Sequence, residues 1–265
     1  MADNNKEIVV KEWKTAVADI KPNKVLLRGY PIDKLMGNLS YAQVVYLALK
    51  GELPDENVGK IVDTILVSSV DHGVTPPSAL AAITAASTGA PINAAIASGI
   101  LAINRFHGGA IENAMQFFYE LKEKVDSSSR GFQTTVSEYM DELRAQKKRV
   151  MGFGHRVHSD DPRTKKLFGL ATELNIATDY IELAREVENK LFQQLGKRLP
   201  INVDGAIAAV LCGLEFNPDI ANAFFIMSRI PGLVAHIAEE RVRQRPMRRI
   251  EPSGWVYDGP EERDI

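Results

Sequence analysis

No charged residue occurs between Pro76 and Asn104. A stretch of this kind has to be hidden, either inside protein or inside lipid, and its composition favours protein. It is dense in Ala, Ser, Thr and Gly, and small side chains let helix axes approach toward the short end of the roughly 8–10 Å range. Ser87-Thr88-Gly89-Ala90-Pro91 breaks the run. Each remaining piece is shorter than the roughly 18 continuous apolar residues that a membrane span requires. The expectation is a pair of central buried helices, with a face suited to a subunit interface.

The rest of the chain reads as helices laid around that pair. Ser40 can cap a helix over Tyr41–Lys50, which Gly51 ends. Apolar positions Val58, Ile61, Val62, Ile65 and Leu66 give Pro54–Val70 helical spacing. Further helices are predicted over Gly108–Val125, Phe132–Gln146, Pro162–Leu174, Asp179–Leu195 and Gly205–Leu214. Two more, Pro218–Ser228 and Pro231–Gln244, are separated at Pro231. The strand signal is confined to Trp13–Ile20 and Lys24–Arg28 around the turn Lys21-Pro22-Asn23, a small N-terminal β-hairpin. The fold class is therefore mainly α, as one large domain or two lobes sharing a core.

Composition excludes several classes of function. A net charge of −2 gives no electrostatic case for nucleic acid or an anionic membrane. Cys212 is the only cysteine, so neither an intramolecular disulfide nor a cysteine metal cluster is available. Met1–Trp13 carries Glu7 and Glu12 and has no apolar core, unlike a secretory or transit segment, and a cytoplasmic location is expected. No phosphate-binding glycine loop or strand-linked dinucleotide fingerprint supports the use of ATP or NAD.

Chemistry concentrates in Val150–Arg163. Gly152 and Gly154 flank Phe153, so the backbone can turn there and approach a ligand. His155 follows at once. Asp161-Pro162 is a helix start, a side-chain cap and then proline, which puts Arg163 in the first helical turn. A glycine loop, a histidine and an arginine at a helix start suit a small carboxylate substrate; a helix-connecting loop with a surface histidine is the plainer alternative. His107 precedes Gly108-Gly109 and a helix, where a neutral ring can donate to a developing oxyanion or simply bond backbone. Asp204, just before the apolar run Ala206–Leu211, reads as an N-cap or as a proton-transfer group. Arg229 ends an apolar helix, where it also compensates the helix dipole. The arginine run Arg241–Arg249 is most simply a solvated face.

Together these pieces resemble the citrate synthase superfamily over nearly the whole chain. Arg28-Gly29-Tyr30-Pro31-Ile32, Tyr46–Pro54, Asp71-His72, His107-Gly108-Gly109-Ala110, Gly152-Phe153-Gly154-His155-Arg156-Val157 and Asn202-Val203-Asp204 occur in the family's order. The resemblance implies a two-lobed helical fold, with a large domain of 1–108 and 214–265 and a small one of 109–213. It implies that His107 and Asp204 polarise a thioester and exchange the acetyl proton, while His155 serves the citryl hydroxyl. His72, Arg163 and Arg229 would hold substrate carboxylates, with Arg249 contributed by a partner subunit. Val150, Met151, Gly152, Phe153 and Gly154 would cover the coenzyme A adenine.

Several positions depart from the condensing members' pattern. Ser69, Gly73 and Pro76 replace a His, a Glu and an Asn around His72, Ile111 precedes Glu112, and the loop from His155 to Arg163 is one residue shorter. Asp71-His72-Gly73, Met151–Val157 and Val203-Asp204-Gly205 are more similar to citryl-CoA lyase and to the lyase module of ATP-citrate lyase. The expected activity is cleavage of citryl-CoA to acetyl-CoA and oxaloacetate by a homodimer or higher homo-oligomer. No metal or permanently bound cofactor is expected. Coenzyme A enters as part of the substrate, and a separate citryl-CoA synthetase is a possible partner. The alternatives are condensation of an acyl-CoA with oxaloacetate or another 2-oxo acid, and a helical dimer that binds acyl-CoA without turnover.

Overall fold

The structure, a computed structural model, describes residues 13–154 and 160–248 and isolated positions between 256 and 261. His155 and Arg249 lie outside the described residues. The chain divides into two compact units, Met1–Thr64 and Ile65–Ile265.

In the first unit, β1 (Ala18–Lys21), β2 (Lys24–Leu27) and β3 (Tyr30–Pro31) form an antiparallel sheet in that order. The expected hairpin thus gains a short third strand. Its second turn, with Leu27 opposite Tyr30, places Arg28 and Gly29 at φ 50° and 85°. Positive φ at both central residues matches the twist of the flanking strands. Arg28 occupies this conformation while its guanidinium donates to the carbonyls of Ala48, through Nε (3.0 Å) and Nη2 (2.8 Å), and of Ala16. The short α1 (Ile32–Leu35) leads to α2 (Tyr41–Lys50). Ser40 and Gln43 close a reciprocal capping box on α2, and Gly51 ends it in the left-handed region. The next helix, α3 (Glu56–Ser68), starts here, and Gly59 lets it lie against Gln43.

The second unit contains α4 (Pro77–Ser87), α5 (Ile92–Leu101), α6 (Ala110–Ser127), α7 (Phe132–Ala145), α8 (Pro162–Glu173), α9 (Thr178–Leu195), α10 (Val203–Gly213) and α11 (Ala221–Arg243). The charge-free run forms α4 and α5, which pack on each other and on α11. Ala82, Ala86, Ala95, Leu233 and Ile237 make their shared core. A Cβ on Gly99 would lie 2.9 Å from both Leu233 Cδ1 and the Ser78 carbonyl, so the small residue sets the separation. The apolar α10 is buried along almost its whole length and packs against α6, α8 and α9.

Pro231 does not divide the last helix. Ala221–Arg243 is one continuous helix with Pro231 inside it, although proline removes one backbone bond and crowds the preceding turn. Phe224, Phe225, Leu233 and Ile237 are buried on both sides of it, so packing keeps both halves helical. Pro218–Arg243 is long and apolar enough to pass as a membrane span by composition, but here Leu233 and Ile237 belong to the core with α4 and α5.

Candidate active site

Among the described residues, three buried side-chain polar atoms have no hydrogen-bond partner: Ser69 Oγ, Asp204 Oδ1 and Arg229 Nη1. A buried polar atom left unpaired costs about 1–3 kcal/mol, so orphans in a folded chain call for an explanation such as a ligand. Two of them are linked, because Arg229 Nε donates to the Ser69 carbonyl at 2.9 Å.

Asp204 is not the helix cap. That role belongs to Asn202, whose side-chain oxygen accepts from the Gly205 amide at 3.1 Å, while its Nδ2 donates to the Gly154 carbonyl at 2.9 Å. Asp204 stands in the first turn of α10 without that structural duty. The residue as a whole keeps some exposure, but Oδ1 is closed to solvent. Burial pushes its carboxyl up to about 6; the charges of Arg163 and Arg229 pull the other way, and Asp161 adds to the rise. A carboxyl tuned toward neutrality can exchange a proton.

The glycine loop is seated on the start of α10. Gly152 and Gly154 have φ 88° and 85°. Asn202 N donates to the Gly152 carbonyl at 3.0 Å, and Gly154 N donates to the Pro200 carbonyl at 2.7 Å. Gly152 and Gly205 touch backbone to backbone, and a Cβ on either would come within 3 Å of the other. The loop is therefore held, as far as Gly154, against the helix start that carries Asp204. Val150 and Met151 are half-buried, and the Phe153 ring lies edge-on to Phe118. At position 153 the loop has mainly backbone to present to a ligand.

His107 is half-buried at the end of the α5–α6 turn. Its Nε2 lies 2.8 Å from Ser78 Oγ, and its ring stands edge-on to Phe225 at 5.6 Å. Burial lowers its pKa, and the charges of Arg229 and His72 lower it further, so the ring is held neutral. Gly108 and Gly109 leave no room for a Cβ against Phe225, Ile103 and Asn104. The bond to a side chain, rather than to backbone, departs from the plainer reading of this histidine.

The arginines differ in what they have left to offer. Arg229 is 3% exposed and lies 4.8 Å from the Phe225 ring centre. Burial lowers its pKa, which Asp71 opposes. Nη1 remains uncommitted. Arg163 donates to Asp161 through Nε (3.0 Å) and Nη2 (2.7 Å), and its amide donates to the same carboxylate. One edge of its planar fork is occupied by a fully buried partner. His72 is exposed, and its influence reaches His107. His72, His107, Arg163, Asp204 and Arg229 thus fall in one electrostatic neighbourhood.

Two contributors were not legible as such. Ser78 follows two prolines and looks like an ordinary helix start. His236, seven residues past Arg229, bonds Asp71, and only its helical spacing from Arg229 hints that it faces the same way.

Cavities flank this centre. One of about 340 Å³ is lined by Arg105, Gly108, Gly109, Glu112, Asn222 and Ile226. Another of about 250 Å³ lies over α8, with Asp161, Thr164, Lys165, Arg185 and Arg198. Neither is lined by Asp204 or Arg229, and Asp204 Oδ1 and Arg229 Nη1 are themselves closed to solvent.

The family described as citrate synthase, C-terminal domain, matches residues 54–251. The chain belongs to the citrate synthase family. Within it, citrate synthase of Saccharolobus solfataricus is 33% identical over 229 residues, covering 84% of this chain and 58% of that protein. The chain spans a little over half the length of such curated relatives. A solved citryl-CoA lyase from Hydrogenobacter thermophilus is 41% identical with a TM-score of 0.85, covering 96% of this chain and 97% of that one. A citrate synthase from Thermoplasma acidophilum, solved with carboxymethyl coenzyme A and oxaloacetate, has a TM-score of 0.68 at 29% identity, covering 85% of this chain and 58% of that one.

Proposed function

We propose that the chain is a citryl-CoA lyase. The observation that carries this reading is the likeness to the Hydrogenobacter enzyme, at 41% identity and a TM-score of 0.85, against 29% and 0.68 for the Thermoplasma synthase. Citryl-CoA binds with its carboxylates toward Arg229 Nη1, the free edge of Arg163, and His72. His155 accepts the citryl hydroxyl proton. As the carbon–carbon bond breaks, its electron pair moves into the acetyl thioester, giving an enolate, and the alkoxide carbon becomes the ketone of oxaloacetate. Ser78 donating to His107 Nε2 leaves the ring proton on Nδ1, which then donates to the enolate oxygen. Asp204, protonated at that moment, gives its proton to the methylene carbon and completes acetyl-CoA. An oxyanion donor contributes roughly 3–4 kcal/mol to such a step. Coenzyme A is held along Val150–Gly154. Because Asp204 Oδ1 and Arg229 Nη1 are closed to solvent, segment 109–213 moves against α4, α5 and α11 to admit substrate and then shuts out water.

Product analysis tests the assignment. Purified protein given citryl-CoA is expected to yield acetyl-CoA and oxaloacetate faster than citrate and free coenzyme A. Free thiol and citrate as the main products would replace it with the condensing reading, which the curated citrate synthase relatives favour.

We also propose a homodimer built on the charge-free helices. Leu80 and Ile92 are exposed on α4 and α5, and Leu101 and Phe106, next to His107, are 77% and 92% exposed. An apolar surface of this kind is costly to leave in water. Sedimentation is expected to give twice the 29.2 kDa of one chain. Mixing inactive Asp204→Ala with inactive Arg249→Ala subunits is expected to restore part of the activity, with Arg249 acting in the partner's site. No rescue in verified mixed dimers removes that role.

A further inference from the structure

The turn that carries His72 is clipped to one strip of α11. Ser228 Oγ donates to the Leu66 carbonyl, and Arg229 Nε to the Ser69 carbonyl at 2.9 Å. Gly232 lies so close beneath the Val70 carbonyl that a Cβ there would fall within 3 Å of it, and 3.1 Å from Asp71 Oδ1. One turn further on, His236 Nε2 donates to Asp71 Oδ1 at 2.9 Å. Positions 229, 232 and 236 share a helix face, so the turn and the helix match residue for residue.

Asp71 passes this contact on to the site. Its carboxylate accepts the Gly73 amide at 2.9 Å, a bond that closes over His72 and so restrains the backbone of His72 itself. Gly73, at φ 76°, allows the tight turn. Burial alone would push the Asp71 carboxyl up, but the Gly73 amide and the His236 ring outweigh it and hold the carboxyl below its usual range. Asp71 is also the first of the opposite charges that favour the Arg229 guanidinium. A half-exposed ion pair contributes little by itself, and here the Asp71 side chain is 38% exposed, so the value of the contact lies in orientation.

We propose that His236 and Asp71 are a positioning pair for the acid-binding end of the site: His236 aims Asp71, and Asp71 sets the backbone of His72 and faces Arg229 with the charge that keeps it placed for a substrate carboxylate. The inference rests on the citryl-CoA reading. Neither residue has to touch substrate. A pair that merely stapled the turn to α11 would behave differently on substitution. It would lower the folded fraction, and so apparent kcat and the binding capacity for coenzyme A and acid together, with KM unchanged.

The experiment measures oxaloacetate and coenzyme A binding separately by calorimetry, alongside citryl-CoA kinetics and melting temperature. In His236→Ala, oxaloacetate affinity is expected to fall about tenfold, as for loss of one charge-assisted hydrogen bond. KM for citryl-CoA should rise, while coenzyme A affinity stays within about twofold, a change smaller than the tenfold that one such bond is worth. His236→Gln keeps an N–H that can reach Asp71 and is expected to recover most of the loss. Asp71→Asn lacks the charge facing Arg229 and is expected to weaken oxaloacetate at least as much as His236→Ala; it carries the test if the alanine variant does not fold. Unchanged oxaloacetate affinity in the variants overturns the pairing, as does a parallel loss of both ligands with a lower melting temperature. Wild-type protein that neither binds oxaloacetate nor cleaves citryl-CoA overturns the lyase reading and the pairing with it. Active wild type with unaffected variants overturns the pairing alone.

Discussion

Asp204→Asn is expected to lower citryl-CoA cleavage by about 10²–10⁴-fold, the usual contribution of a positioned proton-transfer group, while leaving coenzyme A binding largely intact. The amide has nearly the shape of the carboxyl but cannot deliver the proton. The same substitution is expected to stabilise the protein at neutral pH. Asp204 has its pKa raised to about 6 from an ordinary 3.8. A carboxyl whose folded pKa lies above its unfolded one favours folding fully below the lower value, and this contribution disappears as pH rises through the higher one. Between about pH 4 and pH 6 the wild type therefore loses up to about 3 kcal/mol from this group, about two pKa units at 1.36 kcal/mol each. Asn does not titrate, so the variant should lack that loss and unfold at higher urea at pH 7. A third consequence concerns rate. Cleavage needs the protonated acid, so wild-type kcat/KM should fall about tenfold per pH unit above the pKa of the free enzyme's acid. Full activity in Asp204→Asn would remove the residue from the reaction. Loss of activity together with lower stability would point instead to a structural carboxylate.

The sequence supported this assignment only in part. Asp204 and Asn202 stand two residues apart at a helix start, and both are good capping residues, so periodicity and propensity cannot say which one caps. The Asn202–Gly205 bond decides it and releases the carboxylate. The helical pair α4–α5 was legible because a charge-free, small-residue run has few other destinations. Pro231 was misread as a break because local chemistry opposes proline inside a helix, whereas burial of Phe224, Phe225, Leu233 and Ile237 overrides it from a distance. Contacts across long separations were invisible. Ser78 meets His107 across 29 positions and Asp71 meets His236 across 165, and no local pattern pairs such residues. Arg163 was legible as a helix-start arginine beside a cap. That the cap also takes the guanidinium was not, because it depends on a side-chain rotamer.

Gly205→Ala is expected to destabilise the protein and disable it, against what helix propensity alone predicts. Alanine is the better helix former by about 1 kcal/mol, and Gly205 lies inside α10. The added methyl, however, would fall within 3 Å of the Gly152 carbonyl oxygen, which is backbone and cannot rotate away. Relief requires the glycine loop to lift off α10, stretching the bonds from Asn202 N to Gly152 and from Asn202 Nδ2 to Gly154. Overpacking of this kind costs about 1–3 kcal/mol. Misplacing catalytic groups by about 1 Å can cost on the order of 10²-fold in rate, and the loop leads directly to His155. Gly169→Ala is the matched control. Gly169 lies inside α8, and a Cβ there would meet nothing within 4 Å. That substitution should gain about 0.5–1 kcal/mol with turnover unchanged. Urea unfolding and citryl-CoA cleavage, measured on both variants, separate the two effects. Should Gly205→Ala match Gly169→Ala in stability and rate, the loop is not seated on the start of α10, and the proposed role of Val150–Gly154 in positioning the site fails with it.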